Sequence, residues 1–235
     1  MTSPIADVTK LVSLEEFNGL LSDRVYDTLK AAILSLDFLP GAVLRKGPIC
    51  DHLGVSRSPV SDAILKLAND GLVTVVPQSG TRVAKMSMKG VREDAFMREA
   101  LEVAAVRHAA AHNSDELVAR LTRNLHMQRL QAQDSDFEEF HKSDREFHRL
   151  IIDACKISRL PGAIRFVSNH VDRARLLLLP EPGSNAETLS EHARIVEAFQ
   201  KADVSAAEDA MRQHLRQLIK RLEPLEKQRP ELFTS

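Results

Sequence analysis

From Ser22 onward the apolar residues fall on a helical period. Val25, Leu29, Ile33 and Leu36 recur at intervals of three and four, Ser22 and Asp23 are candidate caps, and Pro40-Gly41 halts the run. Pro48 suits the first turn of a short helix carrying Ile49, Cys50 and Leu53, which Gly54 ends as a residue tolerant of left-handed dihedrals. Ser56 opens the next helix, with Pro59 early in it and Val60, Ile64, Leu65 and Leu67 as the expected buried stripe, before Asn69-Asp70-Gly71 breaks the pattern. Leu72 to Val76 is then rich in β-branched residues. Pro77-Gln78-Ser79-Gly80 and Thr81-Arg82-Val83 read as the turn and return strand of a hairpin.

Beyond residue 86 the pattern is helical throughout. About six segments are predicted, separated near Asn113, Asp134, Ser158, Pro180 to Ser184, and Asp203, with no internal repeat. The expected fold class is therefore mainly α. An N-terminal winged helix-turn-helix with a two-stranded wing occupies residues 22–85, and an all-α antiparallel bundle occupies 90–222. Residues 1–21 are mixed and weakly periodic, which predicts a flexible arm.

Composition narrows the class. The 235 residues suffice for two modest domains, and a formal net charge of -1 excludes a polycation that coats nucleic acid. Residues 22–85 carry eight Lys/Arg against six Asp/Glu, and residues 86–235 carry 23 against 24. Because phosphate neutralisation supplies most non-specific affinity, so small an excess implies a compact module touching few phosphates per copy. Cys50 and Cys155 are the two cysteines, far apart in sequence, which argues against a disulfide framework and for a reducing compartment. No apolar run approaches a membrane span and no leader pattern opens the chain, so cytoplasm is expected, with no membrane partner.

A recognition helix needs short polar or cationic side chains at its N-terminal end, where they reach base edges and phosphates. Ser56-Arg57-Ser58-Pro59-Val60-Ser61 supplies them. Arg57 has the geometry to lie bidentate on a guanine edge or clamp a phosphate, and Ser56, Ser58 and Ser61 to hold phosphate oxygens. Gly80 and Thr81, by the hairpin turn, are further candidate DNA contacts. Taken alone, Ser56 reads as a helix cap and Arg57 as a solvated surface charge.

Context decides between these. V-Y-D-T-L-K-A-A-I-L-S-L-D-F-L-P-G from Val25, H-L-G-V-S-R-S-P-V, L-A-N-D-G-L-V and Q-S-G-T-R-V, in that order, resemble the GntR family of bacterial regulators. The resemblance implies a homodimer on double-stranded operator DNA, its two recognition helices at half-sites about one DNA turn apart. Two departures stand out. Arg45 and Lys46 replace the family's usual Ser/Glu pair, and Ser61-Asp62-Ala63 replaces R-E-A, so one frequent cationic contact is missing and Arg45 and Lys46 are candidates to replace it.

The second half resembles the helical effector domain of the FadR branch, of the FCD type. The motifs are M-R-E-A-L-E at 97–102, S-D-R-E-F-H-R-L-I at 143–151, S-E-H-A-R-I-V-E-A-F at 190–199 and M-R-Q-H-L at 211–215. Asp144 and His148, four apart, project from one helical face. With His192 and His214 they occupy positions that hold a metal in metal-binding members. Three imidazoles and a carboxylate suit zinc first, with nickel, manganese and iron as alternatives; without the resemblance these are ordinary helix histidines. A small carboxylate or sugar-acid effector would need a cation nearby. Arg98 is the first candidate, with Asn169 and Arg173, again four apart, behind it. The expected function is a repressor released from its operator by that effector. The alternatives are a metal-dependent enzyme in the helical domain and a regulator whose metal is purely structural or is itself the signal.

Overall fold

The computed structural model describes residues 4–76, 80–178 and 183–234, with side chains other than those of Asn169 and Ser184. The chain divides into two compact units, one running up to Met88 and taking back the chain from Glu226 onward, the other Lys89–Leu225.

The first unit is built on α1 (Leu21–Leu34), α2 (Lys46–Leu53) and α3 (Arg57–Asn69), beside a small antiparallel sheet of β1 (Val43–Leu44), β2 (Val73–Val76) and β3 (Gly80–Val83) in the order β1-β3-β2. The expected hairpin thus gains a third strand. Val43 pairs with Arg82 and Leu44 with Thr81, and two residues are too few to print an alternating pattern. Val25, Leu29 and Ile33 of α1 pack on Val60, Ile64 and Leu67 of α3, with Phe38, Ile49, Leu72 and Val83 closing one core.

Two apolar assignments are corrected. Leu36 has φ +63°, past the end of α1, and Phe38 is the residue buried there. Leu65 is 63% exposed, because it stands about 140° round α3 from Val60 while Ala63, Ile64 and Leu67 take the inner face. The segment expected to be a flexible arm packs as well. Val43 N–H donates to Pro4 O (2.8 Å), and Ala6 and Leu11 are buried in the core. At the far end of the chain, Met86 N–H donates to Leu232 O (2.9 Å) and Thr234 N–H to Met86 O (2.8 Å), while Leu232 and Phe233 are buried.

The second unit is helical: α4 (Met88–Ala111), α5 (Asp115–Gln133), α6 (Phe137–Ala154), α7 (Leu160–Phe166), α8 (Asn169–Leu178), α9 (Ser184–Gln200) and α10 (Val204–Gln228), which runs on past the unit's last residue. The expected breaks at Asn113, Asp134, Ser158 and Asp203 all fall between helices. A further break, missing from the pattern, separates α7 from α8 at Val167-Ser168. Its core joins Val106 and Ala109 of α4, Leu121 of α5, Phe147 and Ile151 of α6, Ile195 and Phe199 of α9, and Met211 of α10. Ser114 caps α5, its hydroxyl accepting from Leu117 N–H, and Asp136 caps α6 by accepting from Glu139 N–H. Asp144 and His148 lie on the buried face of α6 with Phe140, Phe147 and Ile151.

Gly54 turns α2 toward α3 at φ +65°, and a Cβ added there would meet nothing within 4 Å. Only backbone strain opposes a side chain. Gly54→Ala is therefore expected to lower stability by about 1–2 kcal/mol, and Gly54→Asn by less, in urea unfolding. Equal losses for the two would mean that packing sets the cost.

Candidate nucleic-acid interface and metal centre

The first turn of α3 is a helix N-terminus with its hydrogen-bonding groups uncommitted. Ser56 stands at the N-cap with φ -73° and ψ 172°, yet makes no side-chain capping bond. The sequence supplies a reason, since the third helical position is Pro59, which has no N–H to offer. The hydroxyl and the first backbone N–H groups of α3 thus remain at the helix end. Ser56, Arg57 and Ser58 are exposed, and Ser61 is half-buried one turn on. Arg45 and Lys46 are exposed at the start of α2, and Lys46 Nζ donates to Ser61 Oγ (2.9 Å), which brings the two helix starts together.

The wing assignment changes. Gly80 is exposed at φ +90°, but Thr81 is only 6% exposed, because alternation along β3 turns it and Val83 to the inner face. Pro77, Gln78 and Ser79 lie outside the described residues.

In the helical unit, Asp144 and His148 of α6, His192 of α9 and His214 of α10 are all buried. Together they offer one donor atom each, all within 4.8 Å of one another. A second ring of groups sets their orientation. His148 Nδ1 lies 2.5 Å from Glu102 Oε2, His214 Nδ1 2.8 Å from Glu191 Oε2, and His192 Nδ1 2.8 Å from Gln128 Oε1. Burial raises the Glu191 carboxyl, but Arg221 is paired with it as Arg98 is with Glu102, and a carboxylate so paired only accepts, so the first two Nδ1 atoms carry the protons. Gln128 is fixed likewise. Its Nε2 donates to Asn124 Oδ1 (2.7 Å), and Asn124 donates to Ser143 O (3.0 Å), leaving Oε1 to accept from His192.

Every Nε2 lone pair then faces the centre. His148 Nε2 and His214 Nε2 are 3.2 Å apart, and His192 Nε2 is 3.6 Å from Asp144 Oδ1. Phe147 stacks on His192 with ring centroids 4.1 Å apart. Burial, reinforced by the neighbouring imidazoles, pushes His192 and His214 well below the ordinary histidine range, so both rings are neutral. Burial alone would raise Asp144 and Glu102. Arg175 beside the first, and Arg98 together with the His148 Nδ1–H bond beside the second, outweigh it and hold both carboxyls well below the usual range.

This donor set fits a divalent cation. His192 Nε2 is buried with no hydrogen-bond partner among the described residues, and two further lone pairs and a carboxylate point the same way. Each ligand imidazole also has the oxygen partner on its other nitrogen that metal-bound histidines have. A cavity of about 40 Å³ adjoins the cluster, lined by residues that include Asp144, Arg175, Asn185, His214 and Arg221. It has room for a few waters or one carboxylate-sized group.

Three comparisons with known proteins bear on this geometry. Residues 21–83 match the profile described as bacterial regulatory proteins, gntR family, and residues 95–217 match that of the FCD domain. The chain is 33% identical over 223 residues to an uncharacterized HTH-type transcriptional regulator in an unstable DNA locus of Streptomyces ambofaciens, covering 94% of each. It belongs to the GntR family. It is also 30% identical to the HTH-type transcriptional repressor RspR of Escherichia coli K12, over 91% of this chain and 94% of that one. Among solved structures, a putative GntR regulator from Rhodococcus sp. RHA1 (TM-score 0.75, 23% identity, 86% of this chain and 97% of that one) shares the fold. So does E. coli McbR/YncC (TM-score 0.75, 21% identity, 88% and 99%). This GntR protein is a DNA-binding transcriptional regulator with an FCD domain. Among its described residues, no helix is long and apolar enough to cross a membrane.

The effector candidates are rearranged by the structure. Arg98 is buried against Glu102, behind His148, and does not line the cavity. Arg173 is fully buried, and burial pushes its guanidinium down to about 10. The side chain of Asn169 lies outside the described residues. Arg175, two positions on from Arg173 and about 200° round α8, is the one that reaches the cluster: Nη1 donates to Asp144 Oδ2 at 2.6 Å. Sequence reasoning missed it, together with Glu102, Gln128 and Glu191. The available signals were a charge inside the apolar run Arg175 to Leu179 and a Gln on the buried stripe Leu117, Leu121, Leu125, Gln128 of α5.

Glu102 is shared by Arg98 and His148, so its removal takes away the nearer carboxylate of a buried guanidinium and leaves it only Asp172 at 3.9 Å. Glu102→Ala is expected to cost about 3–5 kcal/mol in denaturant unfolding. Glu102→Gln, which keeps an acceptor for His148, should cost clearly less. Equal costs would show that the acceptor is unimportant.

Proposed function

We propose that this GntR regulator is a homodimeric, cytoplasmic repressor whose helical domain holds a divalent metal ion, zinc first, on Asp144, His148, His192 and His214, and that a small carboxylate or sugar acid bound beside the ion releases the protein from its operator. The observation that carries the reading is the three buried imidazoles, each held at Nδ1 by Glu102, Gln128 or Glu191, with their Nε2 atoms facing Asp144. A bound divalent ion supplies a Lewis-acidic anchor for a carboxylate oxygen. The surrounding residues do the rest: Arg175 and Arg221 give the cavity a cationic wall, and Asn185 and Thr188 line it with polar groups.

On the DNA side, Arg57 and the hydroxyls of Ser56, Ser58 and Ser61 form the reading edge of α3. Arg45 and Lys46 meet the phosphate backbone beside it, and Gly80 lies at the base of the wing. The effector acts by favouring one arrangement of the dimer over another, since a ligand with equal affinity for both would shift nothing.

Duplex binding followed by fluorescence anisotropy tests both halves. Arg57→Ala should weaken operator binding about ten-fold or more and, if Arg57 meets a phosphate, reduce the salt slope by about one unit. With added Zn²⁺, a panel of small mono- and dicarboxylates and sugar acids should contain one that lowers operator affinity in the native protein but not in His148→Ala, while His148→Ala still binds DNA. A hit that raises the melting temperature only with Zn²⁺ yet leaves DNA affinity unchanged would contradict release by effector.

A further inference from the structure

Arg175 stands where two functions meet. Its Nη1 donates to Asp144 Oδ2 at 2.6 Å, and its Nη2 lies 3.3 Å from both His148 Nε2 and His214 Nε2. One guanidinium thus engages three of the four candidate metal ligands, and at His148 and His214 it does so through the Nε2 atoms that would bind an ion. A neutral imidazole has a single lone pair at Nε2, so that lone pair serves an Arg175 N–H or a metal bond, never both.

The surrounding charges point the same way. Glu102 is paired with Arg98, Glu191 with Arg221 and Asp144 with Arg175, and Asp172, 3.9 Å from Arg98, adds one more carboxylate. Adding a dication to that set would turn one excess negative charge into one excess positive charge in a buried place, which is costly unless one cation moves or an anion joins. Arg175 has somewhere to go: it lines the adjoining cavity and is not sealed in, its side chain being 12% exposed.

We propose that Arg175 is an internal competitor of the metal ion, displaced from Asp144, His148 and His214 when the ion binds and thereby released to receive an anion at the cavity. The proposal rests on the metal site put forward above and adds its regulation. Metal and small carboxylate then bind with positive coupling: the ion frees the guanidinium, and an anion that holds the guanidinium in the cavity removes the ion's competitor. Without the arginine the coupling through it disappears and the ion binds more tightly. That is the reverse of what loss of a merely structural residue does.

Competitive titration of the full-length protein with Zn²⁺ against a chromophoric chelator, with and without acetate, tests this. Arg175→Gln should bind one Zn²⁺ per chain at least ten-fold more tightly than the native protein, with Arg175→Lys close to native. Acetate should raise Zn²⁺ affinity several-fold in the native protein and leave Arg175→Gln unmoved. Native-protein NMR of the Arg175 side chain needs no variant, and its Nε–H signal should shift on Zn²⁺ addition. Equal or weaker Zn²⁺ binding by a folded Arg175→Gln, or an Arg175 signal unchanged at saturating Zn²⁺, overturns the proposal while the metal site stands. If neither native protein nor variant binds stoichiometric Zn²⁺, the metal site itself falls and the proposal with it.

Discussion

A neutral imidazole has one proton and one lone pair, and the nitrogen that takes the proton decides what the ring can do. In this protein that choice is made three times by the same device, an oxygen placed against Nδ1. Glu102 serves His148, Gln128 serves His192 and Glu191 serves His214. The acceptors come from α4, α5 and α9, the imidazoles from α6, α9 and α10, so nearly the whole bundle contributes to one point. Remove the Nδ1 partners and the three Nε2 atoms have no reason to face each other at the centre of an apolar core.

The arrangement is costly in isolation, since carboxylates, imidazoles and guanidinium groups are buried together. It holds because the charges are matched: Arg98 with Glu102, Arg175 with Asp144, Arg221 with Glu191. Packing does the remainder. Phe147 clamps His192 face to face, and Ile151, Met211 and Leu215 enclose the cluster's helices. The DNA-binding end follows an opposite logic. There, a proline at the third position of α3 removes one of the two N–H groups that Ser56 could cap, no side-chain capping bond forms, and polar groups are left exposed where the helix begins.

Much of this was legible in the sequence. The 3.6-residue period located the helices, and the spacing of Asp144 and His148 placed both on one face. His192 and His214 became meaningful through the positions they share with related regulators, because separate helices leave no local trace of convergence. Three things were hidden for physical reasons. A two-residue strand has no period, so β1 was invisible. Arg173 and Arg175 stand two apart, just ahead of one apolar run, and nothing local says which face of α8 looks inward. The partners of the imidazoles are long-range contacts, 46 residues apart for Glu102 and His148 and 64 for Gln128 and His192. Thr81 was misplaced for a related reason, since alternation fixes that neighbours oppose each other but not which of them faces in.

Where the three Nδ1 protons sit is directly measurable. Long-range ¹H–¹⁵N correlation spectra of the histidine rings, recorded near neutral pH on protein stripped of metal, report the tautomer of each imidazole. The structure predicts a proton on Nδ1 of His148, His192 and His214 alike, with unprotonated Nε2 on His192 and His214. An unprotonated Nδ1 at any of the three, or an imidazolium at His192 or His214, would contradict it.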